Sequence, residues 1–246
     1  MRNAPPAQPN QGLMDGLAVL QALATHREPV AGKELALQLD LEPTRVNRLL
    51  KTLAYLGIAY RTTNRKYTSG PGMHVLAAQS LFASGLIQRA LSPLEELSRL
   101  RKLIAMGVLW RDRVSYLYFW HAGMTTAEAL GRSALHPATK SSIGMALLAE
   151  KPDDELRALY RGKEIPGFKG IRSLLEHVRA TREQGYALVP TGEGTTLGMK
   201  FGRPAYAAIA ISGAIAKSDV RGLVEILRDT VAKIEGTEAG DVNNAQ

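Results

Sequence analysis

Three short runs of helical periodicity, each closed by its own breaker, set the tightest limit on how the start of this chain can fold. In residues 13–24, Leu13, Leu17, Leu20 and the Leu23/Ala24 pair fall on one helical face. His26-Arg27-Glu28-Pro29-Val30 ends that run. Residues 32–39 place Leu35, Ala36 and Leu39 on one side of a second helix. Pro43 stands where a first helical turn tolerates a residue without an N–H. A third helix is therefore expected from about Pro43 to Leu56, with Val46, Leu49, Leu50 and Leu53 inward and Gly57 as its stop. Ile58 to Thr68 then reads as two short strands around a turn at Thr63–Arg65. Three helices, the last two closely connected, followed by a hairpin make a winged helix-turn-helix, expected over residues 13–71.

Charge gives this layout a duty. The chain carries a formal net charge of +8, and no acidic residue lies between Glu42 and Glu95. Arg45, Arg48, Lys51, Arg61, Arg65, Lys66 and Arg89 all fall in that stretch. So tight a cluster of one sign fits a phosphate backbone. In a helix-turn-helix the early residues of the second motif helix reach base edges in the major groove. Here those residues are Thr44, Arg45, Asn47 and Arg48, with Lys51 and Thr52 one turn on. Arg can bond guanine bidentately and Asn adenine, while Thr suits a phosphate or a thymine methyl. In the wing, Arg61, Asn64, Arg65 and Lys66 are placed to grip backbone or minor groove. The opposing reading is a solvated helix face held by ion pairs four residues apart, and no carboxylate on that helix is available for them.

Beyond the hairpin, a helical linker is expected over residues 72–101, broken near Gly85 and by Pro93. The pattern then changes. Ala105–Trp110 and Val114–Trp120 read as adjacent strands turned by Arg111-Asp112-Arg113. Helices follow at about 143–149, 152–160 and 171–184, then strands Tyr186–Val189 and Tyr206–Ser212 with a short stretch between them, and a last helix over about 217–235. Helices and strands mixed in this order predict an α+β domain with a central antiparallel sheet over residues 102–236. Residues 1–12 read as a disordered lead-in without a secretory pattern, and 237–246 as a polar tail. With no Cys and no apolar run of the roughly 18 to 20 residues a membrane span needs, a cytoplasmic location away from the membrane is expected.

Small-molecule pockets are mostly apolar with a few placed polar groups. Trp110, Tyr116, Tyr118, Phe119, Trp120 and Tyr206 concentrate aromatic surface in the second domain, and Met106, Tyr118 and Met124 are candidates for a pocket wall or for plain core. The cluster Thr139, Lys140, Ser141 and Ser142 can hold a carboxylate or simply cap the following helix. His121 and His136 have no second ligand at metal-binding spacing and read as structural, so no metal or other cofactor is expected. There is no Gly-x-Ser-x-Gly elbow and no phosphate loop, which sets a small hydrolase second to a DNA-binding protein. A non-specific nucleic-acid binder is the other alternative, but aromatics are not interleaved with the basic cluster as a stacking platform requires.

Three segments carry a family resemblance. Leu41-Glu-Pro-Thr-Arg-Val-Asn-Arg-Leu-Leu-Lys-Thr-Leu-Ala-Tyr-Leu-Gly-Ile resembles the recognition-helix segment of the IclR (isocitrate lyase regulator) family of transcription factors. Leu130-Gly-Arg-Ser-Ala-Leu-His-Pro-Ala-Thr-Lys-Ser-Ser-Ile-Gly-Met-Ala-Leu-Leu-Ala resembles its Gly-Arg…Leu-His…Gly-Lys-Ala segment, with Gly144-Met145-Ala146 in place of Gly-Lys-Ala. Thr181-Arg-Glu-Gln-Gly-Tyr-Ala-Leu followed by Ala207-Ala-Ile-Ala-Ile-Ser-Gly is a third match, although Val189-Pro190-Thr191-Gly192-Glu193 stands where the family often has acidic residues. The resemblance implies a curved antiparallel sheet flanked by helices, and homodimers or dimers of dimers on palindromic double-stranded DNA. It also implies a small organic acid or related metabolite as effector, and by position it points to Ser141, Ser142, Ile143, Thr196 and Ser212.

Overall fold

The computed structural model describes residues 8–131, 134–192 and 194–236. The chain divides into two compact units, the first ending at Gly85 and the second beginning at Leu86. Most of the expected lead-in (residues 1–7), Arg132 and Ser133 of the second resembling segment, Glu193, and the tail 237–246 lie outside the described residues.

The first unit opens with α1 (Gln11–Thr25), two residues earlier than expected, because the Asn10 side chain accepts from the Leu13 N–H at 3.0 Å and caps it. α2 (Gly32–Leu39) ends at Asp40 in the left-handed conformation, φ 51°, and the short Leu41-Glu42 connection leads into α3 (Pro43–Tyr55). Val19, Leu23, Leu35, Val46 and Leu50 form the centre of the core. The buried face of α1 is rotated from the expected one. Asp15, Val19, Ala22 and Leu23 turn inward, whereas Leu13 and Leu17 are exposed. A charged residue thus holds a position that an apolar stripe alone would leave to leucine.

The wing consists of β1 (Ala59–Arg61) and β2 (Tyr67–Ser69), antiparallel, with Arg65 at φ 59° in the turn. Val30 adds a third strand position by exchanging two 2.8 Å backbone hydrogen bonds with Tyr67. α4 (Pro71–Ser84) then runs to Gly85, where φ is 58°. The second unit begins with α5 (Leu86–Leu97), which contains Pro93 rather than breaking there. Proline removes one helical hydrogen bond, and the continuous buried face of Leu86, Ala90, Leu94 and Leu97 holds the helix across it.

The second unit is built on one curved sheet, as the mixed α+β pattern predicts. Its strands are β3 (Leu103–Trp110), β4 (Arg113–Trp120), β5 (Leu135–Pro137), β6 (Ala187–Thr191), β7 (Gly194–Phe201) and β8 (Ala207–Gly213). Their order is β5-β4-β3-β8-β7-β6, every neighbouring pair antiparallel. β7 occupies the stretch expected to be a mere connection. Its Leu197, Met199 and Phe201 face one side, but its other face offers only Thr196, Gly198 and Lys200, so no hydrophobic run marks it. One face of the sheet packs against α7 (Ser142–Leu148), α8 (Asp153–Leu159) and α9 (Ile171–Gln184) through Ala105, Val114, Ala208 and Ala210. The other packs against α5 and α10 (Val220–Gly236) through Ile104, Met106, Tyr118, Ile209 and Ile211. The short α6 (Thr126–Ala129) completes the unit, opened by a capping box from Thr125 and Glu128. No described helix is long and apolar enough to cross a membrane.

Candidate nucleic-acid interface and ligand cleft

α3 is seated by Val46 and Leu50, both fully buried. At 3.6 residues per turn the opposite face is that of Thr44, Arg48, Lys51 and Tyr55, and all four are exposed. Among the described residues no carboxylate pairs with Arg48 or Lys51. The hydroxyl of Thr52 donates back to the Arg48 carbonyl at 3.0 Å. Tyr55, 89% exposed, completes the stripe. No charge marks it in the sequence, but a spacing of seven from Arg48 puts it on the same face.

Arg45 departs from the expectation of an unpaired basic face. The helix itself lacks a carboxylate partner, but α1 supplies one: Arg45 Nε lies 2.6 Å from Asp15 Oδ2. The Arg45 backbone N–H also donates to Glu42 Oε2 at 2.8 Å, which caps α3. That backbone bond, with a second from Thr44, holds the exposed Glu42 carboxyl below the usual carboxylate range. Asn47 lies on the other flank, beside the start of α2. A Cβ on Gly32 would come within 2.6 Å of Asn47 Oδ1, so glycine there admits the close approach. In the wing, Arg61, Asn64, Arg65 and Lys66 are all exposed, and the Arg61 guanidinium carbon sits 6.0 Å from the Tyr67 ring centre.

The residues named for a ligand divide between the two faces of the sheet. Met106 and Tyr118 are buried under α5 and α10. Ser141, Ser142, Ile143, Thr196 and Ser212 belong to the other face, under α7, with Ser212 opposite Thr196 in the ladder. Met124 is in the turn after β4, where its carbonyl accepts from Trp120 Nε1 at 2.8 Å. The hydroxyls are largely occupied with one another. Ser142 Oγ and Thr196 Oγ1 are hydrogen-bonded at 2.8 Å, and Ser141 Oγ accepts from the Gly144 N–H at 3.4 Å, capping α7. The Tyr116 hydroxyl donates to Ser141 Oγ at 3.1 Å, and burial raises its pKa above the usual tyrosine value. Tyr160 is pushed up much further by burial, with the Asp112 charge adding to it. His136 stacks edge-on against Tyr116 at 5.1 Å.

Open space lies next to this cluster. A cleft of about 730 Å³ runs between α9 and the β6 edge, bordered by Lys140, Phe168, His177, Val189, Pro190 and Thr191. Phe168 meets His177 edge-on at 5.6 Å, and Thr139 Oγ1 donates to the Pro166 carbonyl at 2.6 Å, tying down the loop that carries Phe168. The cleft therefore has apolar walls with a lysine and a histidine at its rim. Lys140 belongs to the hydroxyl cluster that the sequence marks, whereas nothing local in the sequence connects His177 and Phe168 to it.

Residues 13–63 match the model of the IclR helix-turn-helix domain. The chain is 30% identical over 177 residues to the HTH-type transcriptional regulator KdgR of Escherichia coli (strain K12), covering 68% of this chain and 66% of that protein. It is 31% identical over 177 residues to the HTH-type transcriptional regulator BhcR of Paracoccus denitrificans (strain Pd 1222), covering 68% and 62%. The matched part thus spans about two thirds of the length of these relatives. The fold is that of an IclR homolog from Microbacterium hydrocarbonoxydans, crystallised with 4-hydroxybenzoate, at a TM-score of 0.68 and 21% identity over 92% of this chain and 98% of the other. From the helix-turn-helix match, the relatives and the shared fold, the chain belongs to the IclR family of transcriptional regulators.

Proposed function

We propose that the protein is a sequence-specific DNA-binding transcriptional regulator whose operator binding is modulated by a small organic acid or related metabolite. The observation that carries the reading is the outward stripe Thr44, Arg48, Lys51 and Tyr55 on a helix seated by Val46 and Leu50. Thr44 and Arg48 reach base edges, Asn47 and Arg45 flank them, and Lys51 with the wing residues Arg61, Asn64, Arg65 and Lys66 neutralises phosphate. Replacing Arg48 with alanine is expected to weaken binding to the operator by about 1–3 kcal/mol, with a smaller effect on unrelated duplex. The check is a titration of both duplexes at fixed salt, and equal losses on the two would remove Arg48 from base reading.

One helix-turn-helix contacts few bases, so a homodimer, or a dimer of dimers, on a palindromic operator fits this reading. Exposed apolar residues on α4, with Val75, Leu76 and Phe82 all facing solvent, support an association between copies. Work on chromosomal DNA agrees with a cytoplasmic location.

For the effector, the cleft beside α9 is the proposed mouth, with Ser141, Ser142, Ile143, Thr196 and Ser212 behind it and Lys140 and His177 facing a carboxylate. Met106 and Tyr118 then act as supports for the sheet rather than as its wall, and Met124 stays in the turn after β4. Because the cleft has an apolar side, an aromatic acid such as 4-hydroxybenzoate, found in the Microbacterium homolog, is a sensible first probe. A set of small aliphatic and aromatic acids is expected to raise the unfolding temperature of the full chain for at least one member, and Lys140→Ala to abolish that rise. A rise unaffected by Lys140→Ala would move the site elsewhere.

A further inference from the structure

We infer that Asp15, on α1 and outside the reading helix, positions Arg45 for base discrimination; this rests on α3 being the DNA-reading helix. Asp15 is a charged residue in a core-facing stripe, its side chain only 8% exposed. A carboxylate there is costly to bury without partners; one of its oxygens is hydrogen-bonded, and the other makes no hydrogen bond and has an ion pair. Oδ1 accepts from Gln11 Nε2 at 2.7 Å, and Oδ2 lies 2.6 Å from Arg45 Nε. Arg45 is thus approached on its Nε side, while its side chain remains 45% exposed. Its backbone is held by a second acid, through the bond from its N–H to Glu42 Oε2. Arg48 and Lys51, on the same helix, are anchored by neither device among the described residues.

Two consequences follow, one specific to the matching sequence and one common to all DNA. An arginine fork fixed before binding loses less side-chain freedom on meeting a base, which favours the matching sequence. A buried negative charge beside the reading face also offsets Arg45's attraction to any phosphate, which disfavours every sequence alike. Asp15 therefore raises discrimination by holding Arg45, while its charge lowers affinity for all DNA without changing the ratio. A carboxylate that merely stabilised the fold would leave the ratio unchanged.

The test uses the full chain and a pool of duplexes with roughly 20 randomised base pairs, enough for two half-sites one helical turn apart. The wild type selects from the pool. Its winning duplex and a scrambled version are then titrated with wild type, Asp15→Asn, Arg45→Ala and the double variant at one salt concentration. Asp15→Asn is expected to bind the scrambled duplex more tightly and to lower the winning-to-scrambled ratio about tenfold. Arg45→Ala is expected to lower the ratio similarly, and the double variant to be no worse than Arg45→Ala. An unchanged ratio in Asp15→Asn, or a further drop when it is added to Arg45→Ala, would overturn the inference. Should Asp15→Asn not fold, Arg45→Lys keeps the charge but not the planar fork; it is expected to lose the winning-to-scrambled ratio, and retention of the ratio overturns the inference. If the wild type enriches no sequence, the DNA-reading assignment itself fails; if it enriches one and the variants discriminate as it does, only the role of Asp15 fails.

Discussion

Gly144→Ala is expected to destabilise the second unit by about 1–3 kcal/mol, although the same exchange in an open helix gains up to about 1 kcal/mol from helix propensity. Gly144 lies inside α7, fully enclosed. A Cβ built there falls 2.5 Å from the Ala138 Cα and overlaps the Ala138 carbonyl as well. Those are backbone atoms, so no rotamer change relieves the clash, and the turn before α7 must move. Ser141, which caps that helix through the Gly144 N–H, moves with it. Both tryptophans, Trp110 and Trp120, belong to the second unit, so denaturant unfolding followed by tryptophan fluorescence reports this unit alone. A midpoint equal to the wild type's, or above it, would mean that helix propensity outweighs the contact and that the α7 seat is soft.

Leu50→Ala is expected to cost about 2–5 kcal/mol in the first unit and to take DNA binding with it. Leu50 is fully buried between α2 and α3, with a Gly32 Cβ position only 3.3 Å from its Cδ1. With Val46 it sets the rotation of α3, and so decides that Thr44, Arg48, Lys51 and Tyr55 face outward. Loss of far-UV helical signal at lower denaturant, with the tryptophan transition unmoved, is the stability readout. Titration with duplex is the functional one. A variant that remains folded at the assay temperature yet binds DNA as tightly as the wild type would remove α3 from the reading role.

Where sequence reasoning succeeded, one element's periodicity decided the matter. The seat of α3 on Val46 and Leu50 follows from spacing alone, and an outward face is then fixed, because a helix that buries one side must show the other. The stop of α4 at Gly85 is equally local, since the left-handed turn there suits glycine. Pro93 misled because its cost is one hydrogen bond, and the buried row from Leu86 to Leu97 outweighs it.

The rest depended on partners distant in the chain. Arg45 looked unpaired because its acid comes from α1, thirty residues earlier, in a stripe where a charge is not anticipated. β7 was hidden because its small face is shaped by Ser142: a Cβ on Gly198 would come within 2.6 Å of the Ser142 backbone. Tyr116 and Tyr118 should share a face if alternation were strict. A bulge between Met106 and Gly107 pairs them with consecutive residues of β3, and the two side chains pass to opposite sides of the sheet. The sequence by itself thus determined the winged helix-turn-helix, the basic outward face of α3 and the α+β class, because each is a repeat or a charge pattern within one segment. Only the tertiary structure decided which face each candidate pocket residue joins and which arginine is held by an acid, because bulges, close approaches and ion pairs are made between segments that sequence spacing does not connect.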